Sequence, residues 1–215
     1  MNVRRLAYTF SLLLLLAAPL TGTAQVPDTS IAPPPQTSGE EEEKDAPYVP
    51  TAQSVVTKML EVAGVSSDDV VYDLGSGDGR IPITAAKEFG ARAVGIEIDS
   101  ALVAKARAKA RAAGVADKVT FRRQDFFNTD LSDATVVALY LWPEINVKLR
   151  PKLLRDLDPG DRIVSHDFRM GTWQPEREVE VGRGNTGWET VYLWTVPETI
   201  PDELMDTSGE MDEAQ

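Results

Sequence analysis

Between Pro47 and Pro197, short apolar runs alternate with amphipathic segments, and this alternation constrains the fold more than any other feature of the chain. Residues 70–74, 93–98, 119–123, 135–141 and 163–165 read as strands, the first a short apolar run suited to burial on both faces and the fourth rich in β-branched and large apolar side chains. Between them, residues 53–63, 81–89, 100–113 and 145–157 carry apolar side chains at helical spacing. Gly90 and Gly114 stop the second and third of these helices; Ser100 stands where a cap would start the third, and Asp99 before it also reads as a helix start. Pro151 must kink the fourth helix or begin another. Residues 178–181 and 188–196 flank a glycine-rich stretch and read as a closing antiparallel pair. The order of elements calls for an α/β fold: a mostly parallel sheet of seven strands with helices on both faces.

The ends of the chain read differently. Arg4 and Arg5 precede an apolar stretch, Pro19 breaks it, and Gly22-Thr23-Ala24 follow, so residues 1–24 are expected to be a secretory signal. Cleavage would export the protein to the periplasm or the medium, with no stable membrane span left, whereas an uncleaved signal would anchor it. Residues 25–46, with Pro33-Pro34-Pro35 and Glu40 to Glu43, read as a disordered linker. Residues 198–215 hold seven acids, no base and no aromatic, and read as a solvated tail. These ends carry most of the net charge of −12, because residues 46–197 hold 21 acids against 19 bases. Such a body offers no basic footprint for nucleic acid, and none is expected as a partner. The chain has no cysteine and one histidine, His166, which excludes disulfides, thiol chemistry and a His/Cys-rich metal centre. No metal is expected, and a monomer is.

In sheets of this kind, ligands sit beyond the carboxyl ends of the strands, so those residues carry the function. After the first strand comes Asp73-Leu74-Gly75-Ser76-Gly77-Asp78-Gly79-Arg80, whose glycines permit a tight turn and a close ligand approach. Arg80 stands where a dinucleotide fingerprint wants a third glycine, and a Walker loop would need Gly-Lys-Ser/Thr. A plain strand–helix turn is the alternative. Glu97 ends the second strand about 20 residues on, where an acid accepts hydrogen bonds from ribose hydroxyls. Gln124-Asp125-Phe126 ends the third, where a carboxylate and an aromatic could hold an adenine. Asp125 alone could equally be a loop or cap residue.

These residues, in this order, resemble the class I S-adenosylmethionine-dependent methyltransferases over about residues 47–196, with Leu157-Asp158-Pro159-Gly160 before the fifth strand. More narrowly, Tyr48-Val49-Pro50-Thr51 and the run from Val71 to Arg80 look like the family of mitochondrial protein-lysine methyltransferases. The segments from Leu139 to Glu144 and from Ser165 to Phe168 look like a signal-bearing bacterial branch of it. The resemblance implies a Rossmann-like fold and S-adenosyl-L-methionine as cofactor. It implies that Asp73 and the amides of residues 75–79 (Gly75, Ser76, Gly77 and Gly79 among them) hold the methionine end. It also implies Glu97 on the ribose, Asp125 and Phe126 on the adenine, and Tyr48 and Thr51 closing the pocket.

The residues after the fourth strand, Trp142, Pro143 and Glu144, would face the transferred methyl group. They are not the Asn/Asp-Pro-Pro-aromatic of base and amide methylation. Glu144 could accept the proton of a lysine amine or guide its charge, with Trp142 as a wall; it could also only complement a helix N-terminus. His166 could be a base or a hydrogen-bonded structural histidine. The acceptor is expected to be an amine, a protein lysine first. A small-molecule methyltransferase or a non-catalytic relative of the fold are the alternatives.

Overall fold

The computed structural model describes residues 49–182 and 187–212, with side chains to Glu210. The expected signal and linker, and Tyr48, lie outside the described residues. Seven strands form one sheet in the order β3-β2-β1-β4-β5-β7-β6. They are β1 (Val70–Leu74), β2 (Arg92–Glu97), β3 (Val119–Arg123), β4 (Val136–Leu139), β5 (Arg162–His166), β6 (Arg177–Gly182) and β7 (Trp188–Thr195). The first five run parallel, and β7 lies antiparallel to both β5 and β6. This is the α/β architecture the alternation called for, and the Rossmann-like one the resemblance implied. Every residue of β1 and of β4 is buried, which explains why both read as continuous apolar runs.

Helices cover the two faces. On one, α1 (Gln53–Val62), α2 (Arg80–Glu88) and α3 (Ser100–Ala112) pack Val55, Met59, Leu60, Ala85 and Ala106 against Val71, Val136 and Val164. On the other, α4 (Pro143–Asp156) packs Leu149, Leu153 and Leu154 with Leu74, Leu139, Ile163 and Trp194. Each such leucine contributes about 1.5–3 kcal/mol by leaving water. The sheet order reverses between β2–β1 and β1–β4, so a crevice opens beyond the carboxyl ends of β1 and β4. Register fixes what faces it: Leu74 pairs with Ile96 on one side and Leu139 on the other.

Three expectations need correction. Asp99, not Ser100, caps α3, its Oδ1 accepting from the amides of Ala101 and Leu102 at 2.8 and 3.3 Å. Pro151 begins no second helix: α4 runs as one helix across it, with Leu149 and Leu153 on either side fully buried in one core. The acidic C-terminal segment is no solvated tail through Glu210. It forms α5 (Asp202–Met205) and α6 (Ser208–Asp212), and Leu204 is buried against the core that α4 covers. The acids had suggested solvent, but Ile200, Leu204 and Met205 give this segment an apolar side, and the buried Arg150 gives it a cationic partner.

Candidate active site

The glycine turn leaves β1 with Gly75 at φ 78° and enters α2 through Gly79 at φ 80°. Only glycine takes these angles cheaply, and a Cβ at Gly79 would lie 2.5 Å from Cζ of Phe121. Four of its amides, however, already donate to protein oxygens. Gly75 and Ser76 both donate to the Ile96 carbonyl at 2.9 Å, Gly79 donates to Ser76 O, and Gly77 donates to Oε2 of Glu97 at 2.9 Å. The expected cradle of amides from Gly75, Ser76, Gly77 and Gly79 is therefore a shaped, close-packed surface. Polar recognition falls to the side chains around it.

Those side chains are acids. Asp73, Asp78, Glu97 and Asp125 line one pocket with Thr51, Phe126, Tyr140 and Leu141. Asp73 is buried, and burial, then the negative charges of Glu97 and Asp78, push its carboxyl up to about 8, against a smaller pull from Arg80. Asp78 goes the other way. Burial opposes its charge, but hydrogen bonds from Arg80 and Lys109 outweigh it and hold its carboxyl well below the usual range. Arg80 Nε and Nη2 reach the two Asp78 oxygens at 2.9 Å, while its Nη1 donates to the Thr51 carbonyl. Arg80 thus ties the segment entering α1 to the glycine turn.

Glu97 has a second backbone donor, Asp99 N–H at 2.9 Å on Oε1. Asp125 serves both roles considered for it: it lines the pocket and caps a short 3-10 turn at Phe126–Asn128, accepting from Phe127 N–H at 2.8 Å. A cavity floored by several carboxylates, one held protonated for want of a counter-charge, fits a ligand that brings positive charge of its own.

Beyond Tyr140 the character changes. The Tyr140 ring stacks on His166 at 3.9 Å and lies 6.0 Å from Phe168, which in turn meets Trp142 at 5.5 Å. Trp142 is exposed and precedes α4; Glu144 sits in that helix's first turn with Oε2 buried and no hydrogen-bond partner among the described residues. His166 is buried, with Nδ1 3.4 Å from Thr51 Oγ1 and Nε2 3.2 Å from Glu189 and 3.4 Å from Asp167. Both ring nitrogens face protein groups, Thr51 on one side and the carboxylates of Asp167 and Glu189 on the other. His166, Asp167 and Glu189 bring their ligand atoms within 4.8 Å of one another, a grouping of a kind that could hold a metal ion; reading the sequence without a metal did not foresee it.

The model of the ANTKMT methyltransferase domain matches residues 73–177. A protein-lysine N-methyltransferase of Saccharolobus islandicus is 47% identical over 71% of this chain and 94% of its own length. The chain belongs to this methyltransferase family. The adenine nucleotide translocase lysine N-methyltransferase of Mus musculus is 38% identical over 63% of this chain, which spans only 59% of that relative. Among solved structures, a protein of Salinibacter ruber described as an RNA methyltransferase, bound to S-adenosyl-L-homocysteine, is 57% identical, with a TM-score of 0.69. It matches 74% of this chain and all of its own. The protein is an S-adenosylmethionine-dependent methyltransferase, and its acidic pocket suits that cationic donor.

Within the methyltransferase, Thr51, Asp73, Gly75, Ser76, Gly77, Glu97, Asp125 and Phe126 come together as expected, while Gly79, Trp142, Glu144 and His166 do not line that pocket, His166 lying behind Thr51 and Tyr140. Sequence reasoning missed Arg80, Tyr140 and Glu189. Arg80 was visible only as a departure from a glycine pattern. Tyr140 lay inside an apolar run, and Glu189 in a strand with no motif at all.

Proposed function

We propose that this methyltransferase acts on protein lysines. The observation that carries the reading is the 47% identity to a protein-lysine N-methyltransferase matched along nearly its whole length. The acceptor side supports it. An exposed aromatic edge beside a half-buried acid attracts an ammonium, first through the ring face and then through the carboxylate.

The donor supplies a methyl group on a positively charged sulfur. Asp73 meets the donor's ammonium, Glu97 accepts from the ribose hydroxyls, and Asp125 with Phe126 holds the adenine. Thr51, fixed by Arg80, closes over it, and Tyr48 belongs to the same entering segment. Glu144 takes the proton that a lysine amine must lose before it can attack, and Trp142 forms the wall beside it. Catalysis then rests mainly on alignment, because the leaving sulfur needs no acid.

RNA is the second reading, favoured by the description of the 57% identical Salinibacter ruber protein. The charge weighs against it: the body lacks excess base, and Glu144, Asp167 and Glu189 around the acceptor side would repel phosphates. Export by residues 1–24 and a monomeric state complete the proposal; no helix of the described residues is long and apolar enough to cross a membrane.

The test is incubation of the full chain with labelled donor and either poly-L-lysine or total RNA. Label in lysine, recovered as methyl-lysine on hydrolysis, supports the reading. Label in RNA alone overturns it.

A further inference from the structure

Arg150 is a charged side chain that the chemistry above does not use. It sits on α4 fully buried, and all five of its N–H groups are satisfied. Nε donates to Leu204 O at 2.8 Å, Nη1 to Met170 O at 2.9 Å, and Nη2 to Asp206 O at 3.0 Å. The remaining two form a fork onto Glu210, at 3.1 and 2.6 Å. The same Glu210 carboxylate accepts from Thr172 N–H at 2.6 Å and Thr172 Oγ1 at 3.0 Å. Gly171, at φ 58°, passes so close that a Cβ there would overlap Glu210 Oε2. One guanidinium therefore joins three separate pieces of chain: α4, the loop after β5, and the C-terminal segment.

That loop carries the acceptor wall. Phe168 reaches Tyr140 and Trp142, and its carbonyl is held by Ser165 Oγ at 2.7 Å, with Asn146 Nδ2 at 3.4 Å. Two residues on, the loop is gripped by Arg150 and Glu210. The family model ends at residue 177, so this C-terminal segment lies outside the matched domain.

We propose that Arg150 and Glu210 are positioning residues of the acceptor side, and that the acidic C-terminal segment is a strap holding the loop from Asp167 to Trp173 so that Phe168 keeps its place between Tyr140 and Trp142. This rests on the reading that the acceptor enters at those aromatics. Glu210 is suited to the task. Burial opposes its charge, but the bonds from Arg150 and Thr172 outweigh it and hold its carboxyl below the usual range, so the fork stays charged at neutral pH. The donor pocket shares no residue with the strap.

The experiment compares the full chain with Glu210→Gln, Glu210→Ala and a chain ending at Pro197. Three readouts are taken: S-adenosyl-L-homocysteine binding by calorimetry, KM and kcat with poly-L-lysine, and tryptic cleavage after the exposed Arg169. The strap predicts donor-product affinity within about twofold of wild type in every variant. It predicts kcat/KM for poly-L-lysine lowered tenfold or more in the shortened chain and in Glu210→Ala, and by less in Glu210→Gln, with faster cleavage after Arg169 in the same order. Should the shortened chain fail to fold, the two point variants decide. Wild-type kinetics in Glu210→Ala, or donor affinity falling in step with activity, overturns the proposal. A wild-type chain silent on poly-L-lysine sinks the lysine reading instead, and the strap then stands or falls on Arg169 cleavage with donor binding intact.

Discussion

At the donor end of the crevice, most polar groups come from within a few residues of a strand terminus, and three of the four carboxylates, all but the protonated Asp73, are tied to backbone or to a cation close by. Glu97 binds the amides of Gly77 and Asp99, Asp125 caps its own turn, and Asp78 is clamped by Arg80 and Lys109. The acceptor end is assembled from distant pieces: Trp142 after β4, His166 at the end of β5, Phe168 just after it, and Glu189 on β7, joined to the donor pocket through Tyr140 and Thr51. One end is a set of local turns hung on a register; the other is a packing of aromatics and a buried histidine, tied back to Thr51 across 115 residues of chain. The first should fail through single side chains, the second through geometry.

The largest effect is expected from Glu97→Ala. It removes the ribose acceptor and frees the Gly77 amide, so donor binding should weaken by about 100-fold or more, the size of two charge-assisted hydrogen bonds. Calorimetry checks this, and near wild-type affinity would dissolve the contrast between the two ends.

Next comes pH. Asp73 is raised to about 8 in the folded, donor-free protein, above its ordinary value near 4. Its proton is bound more tightly folded than unfolded, so its contribution to stability is full below about pH 4 and is lost as pH rises through about 8. Thermal melts of the donor-free chain should therefore lose stability over that window relative to Asp73→Asn, which lacks the titration. Donor binding at neutral pH should also release a proton, seen as a dependence of the binding heat on buffer ionisation. Parallel pH profiles of the two chains would show that Asp73 is already charged.

Gly79→Ala forces a Cβ into Phe121 at a left-handed φ and should cost about 1–3 kcal/mol of stability, read as a lower midpoint in denaturant melts. Smallest is Trp142→Ala at the acceptor end. It should raise KM for poly-L-lysine several-fold, about 1 kcal/mol of lost cation–π contact, and leave donor affinity alone. A loss of donor affinity there would merge the two ends into one site.

The same difference explains what the sequence made legible. The glycine turn, Glu97 and Asp125 could be read because their chemistry lies at strand termini, where spacing along the chain is spacing in the fold. His166 was visible as the one histidine, but whether its nitrogens face the pocket depends on Thr51, Asp167 and Glu189, which no local pattern connects to it. The C-terminal segment misled for a related reason: seven acids look solvated until a buried arginine on α4 is known to receive one of them.

The most direct test of the donor site is calorimetric titration of the full chain and of Glu97→Ala with S-adenosyl-L-methionine and S-adenosyl-L-homocysteine. The account predicts micromolar binding of both by the full chain, with Glu97→Ala losing both while staying folded. A folded full chain that binds neither at millimolar concentration, or a Glu97→Ala chain that binds as well as wild type, would contradict it.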